Sequence, residues 1–111
     1  MPRLSYYGAR MIAYTVTITT QPGRRDDVMA LMSRLVDAAA DEPGTLMYAF
    51  HTIDDEPDTI VSYELFTDAD ALAAHQQNAV IAAVVPEMRG LVVGNVMRRG
   101  VPVVGKGLPG E

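Results

Sequence analysis

Two spacings of apolar residues alternate along this chain, and their order limits the fold more than any other feature. From Ile12 to Thr20 apolar and small polar residues take turns, with Ile12, Tyr14, Val16 and Ile18 on one side and Thr15, Thr17 and Thr19 on the other. That period of two predicts a strand. Gln21-Pro22-Gly23 ends it, and Val28, Leu31, Met32, Leu35, Val36 and Ala39 then recur three and four residues apart, the stripe of an amphipathic helix. Asp26 and Asp27 fall in its first turn, where the helix dipole favours negative charge. Pro43-Gly44 stops the helix. Thr45 to Ile53 and Thr59 to Phe66 read as strands, joined into a hairpin by the polar turn Asp54-Asp55-Glu56-Pro57-Asp58.

Thr67-Asp68-Ala69-Asp70 has the form of a capping box and predicts a second helix, with Thr67 as its cap. This helix carries Leu72, His75 and Gln76, breaks near Asn78, and resumes as a shorter piece to about Val85, before Pro86. Gly90 to Met97 reads as a fourth strand. Val101-Pro102-Val103-Val104, set among glycines and prolines, suits an edge or swapped strand. The expected organisation is an N-terminal tail over 1–11, one domain over 12–104 and a C-terminal tail over 105–111.

The order β-α-β-β-α-β is that of the split βαβ unit, an α+β ferredoxin-like fold with both helices on one face of an antiparallel sheet. The other face of such a sheet is bare. Yet Leu46, Tyr48 and Phe50 on one side of the second strand are matched by Met47, Ala49 and Ile53, and Ile60 and Phe66 on the third by Val61, Tyr63 and Leu65. Both faces seek cover, and a second copy of the chain is the simplest one, so a homodimer is expected.

Composition narrows the partners. A formal charge of -5 opposes a phosphate backbone, and the nine Lys and Arg are not gathered on one predicted face, so nucleic acid is not expected. No stretch approaches the ~18 uninterrupted apolar residues of a membrane span, and Met1 to Arg10 lacks the pattern of a secretory leader. With no Cys, disulfides and thiolate metal sites are excluded, which agrees with an expected cytoplasmic setting. Two separated histidines without a second ligand at metal spacing argue against a protein metal site, and no glycine-rich phosphate loop points to a nucleotide cofactor.

The segment Tyr63-Glu64-Leu65-Phe66-Thr67-Asp68-Ala69-Asp70-Ala71, followed by His75, resembles the signature of the antibiotic biosynthesis monooxygenase family. Glu42-Pro43-Gly44, followed by Leu46 and Tyr48, resembles that family's approach to its second strand. The likeness spans roughly residues 12–97. It implies a dimeric α/β barrel with a pocket between sheet and helices in each subunit. Family members include cofactor-independent oxygenases of phenols, anthrones and hydroquinones, haem-degrading enzymes, and isomerases of small signalling molecules. The haem-degrading members carry an Asn on the first strand and a Trp at the place of Phe66; this chain has neither, which disfavours haem. The anthrone-type oxygenases commonly have that Trp as well, and Phe66 keeps an aromatic wall without its N–H donor.

On strand parity Glu64 and Phe66 share the face that the resemblance assigns to the pocket, and Tyr14 and Val16 join them from the first strand. His75 is expected to reach back to Glu64, which would orient the imidazole and raise its basicity, as a general base for a phenol or activated carbon requires. Tyr14, Val16, Tyr48 and Phe66 are the expected substrate wall. The same residues admit plainer roles: Glu64 and His75 as a pair that merely satisfies itself, Tyr14, Tyr48 and Phe66 as core, and His51 as a surface residue. The expected function is a cofactor-independent monooxygenase acting with O2 on a small or polycyclic aromatic substrate of quinol or anthrone type. The alternatives are an isomerase or tautomerase of a small oxygenated metabolite, and a non-catalytic ligand-binding dimer module.

Overall fold

In the computed structural model, which describes residues 10–108, the strand alternation becomes β1 (Ile12–Thr20), and the stripe becomes α1 (Arg25–Ala39). Val28, Met32, Leu35 and Ala39 of that stripe are buried, whereas Val36 at its margin is exposed. The hairpin follows as β2 (Thr45–Ile53) and β3 (Glu56–Phe66). Its turn is tighter than the sequence suggests, because Asp55 takes a left-handed φ of 63°, a conformation that Asp tolerates. Pro57 then falls inside β3, but β1 pairs only as far as Thr59, so no ladder hydrogen bond to β1 is lost there.

The second helix divides into α2 (Ala69–Gln76) and α3 (Ala79–Val84), continued by a 3₁₀ turn over Val85–Met88. Asn78 causes the break: its carbonyl Oδ1 accepts from the amides of Val80 and Ile81 and starts a new helix. At the start of α2 the cap is Asp68, not Thr67. Asp68 Oδ1 accepts from Ala71 N at 2.8 Å, while the Thr67 amide is spent on Gly44 O at 2.9 Å. β4 runs over Val92–Gly100, later than expected. Gly90, at a φ of 81°, and Leu91 belong to the preceding turn, and the charged Arg98 and Arg99 continue the ladder on an exposed edge. Val101 to Val104 forms no strand in this chain.

The four strands make one antiparallel sheet in the order β2-β3-β1-β4, and the helices lie on one face. This is the expected α+β, ferredoxin-like fold. The core between the layers is Val16, Ile18 and Ile60 from the sheet against Val28, Met32, Leu35 and Val84 from the helices. Towards the C-terminal end of β3, Ile12, Phe66 and Leu72 form a second cluster beneath α2. A bulge between Thr45 and Met47 separates Leu46 from Tyr48, so Leu46 packs with Met11, Ala13 and Leu65 on the far face and not with the aromatic residues of its own strand. The rest of that far face is uncovered within one chain: Met47 and Val96 are 37% and 55% exposed. Residues 1–9 of the expected N-terminal tail and 109–111 of the C-terminal one lie outside the described residues. Among the described residues no helix is long and apolar enough to cross a membrane.

Candidate active site

Strand register sets the frame of the site. Tyr48 on β2 pairs with Glu64 on β3, Glu64 with Tyr14 on β1, and Tyr14 with Arg99 on β4. One row therefore crosses the whole sheet on the helix-covered side, in the order phenol, carboxyl, phenol, guanidinium. α2 lowers His75 onto the β2–β3 half of this row from its last turn, and the imidazole is 7% exposed.

His75 stands between two carboxyl groups. Its Nδ1 lies 2.7 Å from Glu42 Oε1, a hydrogen bond, while its Nε2 lies 3.9 Å from Glu64 Oε1. The group that orients the ring is thus Glu42, whereas strand and helix spacing point to Glu64. Glu42 is held by three donors: Thr45 Oγ1 at 2.7 Å and His75 on Oε1, and Asn78 Nδ2 at 2.6 Å on Oε2. Burial pushes the Glu42 carboxyl up, but the hydrogen bonds from Thr45, Asn78 and His75 outweigh it and hold the group below its ordinary range. An ionised Glu42 can only accept, so the proton of the Glu42 contact is on Nδ1, and in the neutral ring the lone pair then falls on Nε2.

Glu64 is in the opposite condition. Burial raises it above the ordinary carboxyl range, against the hydrogen bond from Ser62 Oγ at 3.1 Å and the attraction of His75. Tyr48 is also pushed up, by burial first and then by the negative charges of Glu64 and Glu42, so its hydroxyl stays protonated. Aromatic rings enclose the imidazole. Tyr48 meets it edge-on at 4.8 Å and Phe66, fully buried, lies tilted at 5.0 Å. Tyr14 touches Phe66 edge-on at 6.5 Å.

The structure brings together His75, Glu64, Tyr48 and Phe66, with Tyr14 beside them. Val16 is one row further along β1, next to Ser62 and packed into the main core. His51 is exposed. Sequence reasoning misses the roles of Glu42, Thr45 and Asn78. The signals available are the likeness of Glu42-Pro43-Gly44 to the family pattern and the helix break at Asn78. Gly44 is required there because a Cβ would collide with the Ala71 side chain of α2. Two surface hollows of about 600 Å³ lie beside the start of α2, one lined by Glu42, Gly44, Thr67 and Ala71, the other by Ile12, Asp68, Asp70, Arg10 and Arg99; His75 and Glu64 line neither.

A crystal structure of a Shewanella oneidensis protein superposes with a TM-score of 0.81 at 19% identity, over 93% of this chain and 98% of that one, a likeness of fold. A protein named as a candidate antibiotic biosynthesis monooxygenase from Chloroflexus aurantiacus is 26% identical, with a TM-score of 0.74 over 87% of this chain and 97% of that one. A similarly named one from Caulobacter crescentus is 25% identical, with a TM-score of 0.77 over 85% and 90%. No curated protein matches. The family description "Antibiotic biosynthesis monooxygenase" matches residues 11–87, most of the chain and all the residues that surround the imidazole. The chain belongs to the antibiotic biosynthesis monooxygenase family.

Proposed function

We propose that this protein is a cofactor-independent monooxygenase of small or polycyclic aromatic substrates of quinol or anthrone type. The observation that carries the reading is one buried imidazole with Nδ1 tied to an ionised carboxylate and Nε2 bare, 3.9 Å from a second carboxyl group. Nε2 takes a proton from the acidic ring carbon or phenol, and Glu42 stabilises the imidazolium that forms. The resulting electron-rich anion passes one electron to O2, and the radical pair joins as a carbon-bound peroxide. A proton from Glu64 or His75 reaches the peroxide, the carbon loses its second hydrogen, and the O–O bond breaks. In sum, an anthrone-like methylene and one O2 become a ring carbonyl and one water: both C–H bonds and the O–O bond are broken, one oxygen atom ends in the carbonyl and the other in the water. The substrate supplies every electron, so the step calls for neither metal nor flavin. Tyr14, Tyr48 and Phe66 form the apolar wall, with Val16 behind.

The substrate reaches Nε2 over Tyr14 from the β4 side, where the helices leave the sheet bare and Met97 is 58% exposed. A homodimer, its far sheet faces together, covers Met47, Val61, Tyr63 and Val96. The cysteine-free chain suits a reducing cytosol. Oxygen consumption with a panel of hydroquinones and anthrones is the test. Uptake that depends on His75 supports the reading, and uptake unchanged in His75→Ala overturns the mechanism.

A second reading rests on Glu64. A carboxyl that burial shifts towards its protonated form, 3.9 Å from Nε2, can return a proton at a different atom, which is the chemistry of a tautomerase. Conversion of a substrate without oxygen uptake would favour it.

A further inference from the structure

Arg99 is the one cation in the row that crosses the sheet. It pairs in register with Tyr14, and Tyr14 with Glu64, so it stands two strands from the carboxyl beside Nε2, roughly 10 Å by the usual strand spacing. Parity places it on the helix-covered side of the sheet, yet it is exposed, because no helix extends over β4 at that point. Among the described residues its side chain has neither a hydrogen bond nor an ion pair. It lines the hollow of about 600 Å³ that also holds Arg10 and Ile12, and Ile12 packs on Phe66 and Tyr14. The floor of the hollow beside that guanidinium is Met11 and Ile12, and behind the buried Ile12 lie Phe66 and then His75. On its helix side, Asp68 is occupied by the Ala71 amide, and Asp70 faces solvent.

A planar guanidinium with open donors, an apolar floor beside it and, along the same row of the sheet, a phenol and then the carboxyl next to a base describe a ligand with an anionic end and an aromatic body. We infer that the substrate carries a carboxylate or a comparably ionised oxygen that Arg99 binds, while its reacting ring lies over Tyr14 towards His75. The inference rests on the active-site reading above and supplies the substrate class. Arg99 acts by selecting and positioning the substrate.

Calorimetric titration under argon of a naphthalenediol and of its ring-carboxylated counterpart into the full chain tests this without turnover. The wild type is expected to bind the carboxylated ligand about tenfold more tightly, the effect of one charge-assisted contact. Arg99→Gln should erase that preference and leave the uncharged ligand's affinity unchanged, and Arg99→Lys should keep part of it. Equal binding of the two ligands by the wild type, a preference that survives Arg99→Gln, or binding of neither ligand would overturn the inference. The two readings fail separately. Absence of oxygen uptake would defeat the monooxygenase while the anion preference stood, and oxygen uptake without an anion preference would defeat only the anchor.

Discussion

A buried histidine flanked by two carboxyl groups of opposite tendency is the chemical centre of this molecule. Glu42 is lowered by its three donors and Glu64 is raised by burial, so one holds the imidazole while the other is able to give a proton. His75→Ala should reduce oxygen uptake by about 10²–10⁴-fold, the range for a general base. Glu42→Gln keeps the shape but not the charge, and should cost about 10²-fold or more by freeing the ring's tautomer. The same pair makes stability depend on pH in opposite senses. Glu42, with its folded pKa below the unfolded one, adds stability above the ordinary carboxyl range that is lost as pH falls through the folded value. Glu64, with its folded pKa above, withdraws stability as pH rises through the same range and beyond. Melting temperatures from pH 3 to 7 should therefore show Glu64→Gln at least as stable as wild type at neutral pH, an advantage gone in acid. Glu42→Gln should be less stable at neutral pH and lose that deficit in acid. The closeness of Glu64 and His75 is legible in the sequence, since one ends a strand and the other lies two helical turns later. The orienting bond is not, because Glu42 is 33 residues from His75 and meets it only through the packing of α2 on Gly44.

At the level of elements, the joint between α2 and α3 does two jobs. Asn78 caps α3 through Oδ1, and through Nδ2 it reaches both Glu42 and Ala38 O. Asn78→Ala should cost about 1–2 kcal/mol in chemical denaturation, the scale of a lost cap, and should also raise the apparent pKa of the acid limb of activity, because Glu42 loses a donor. Gly44→Ala should cost about 1–3 kcal/mol by forcing α2 away from the β2 end. Both stability costs need only denaturation curves. Periodicity places β1, α1, β2 and β3 within a few residues, since each has a clear buried side. It shortens β4, whose Arg98 and Arg99 have no such side, and it puts the α2 cap one residue early, because Thr67 and Asp68 are both good caps and only the hydrogen bond to Gly44 decides. The bulge at Leu46 is invisible to an argument that assumes unbroken alternation.

For the whole molecule, the far face of the sheet presents Met47, Val61, Tyr63 and Val96 alongside exposed threonines of β1. Light scattering at micromolar concentration should give twice the chain mass of 12.0 kDa, and Val61→Asp should shift it to the single-chain value. A wild-type mass of one chain would remove the dimer. The β-α-β-β-α-β order and the helix-covered face are legible because the two periods differ so sharply, whereas the cross-sheet row from Tyr48 to Arg99 depends on register, which alternation alone does not fix. The ring contact of Tyr48 on His75 has an optical consequence. The chain has no indole, so its ultraviolet emission comes from its five phenols. One of them, Tyr48, meets the imidazole, and Tyr14 lies one ring away against Phe66, so protonating the imidazole or laying another chromophore on it should quench part of the signal, giving the protein a built-in spectroscopic reporter that needs no label.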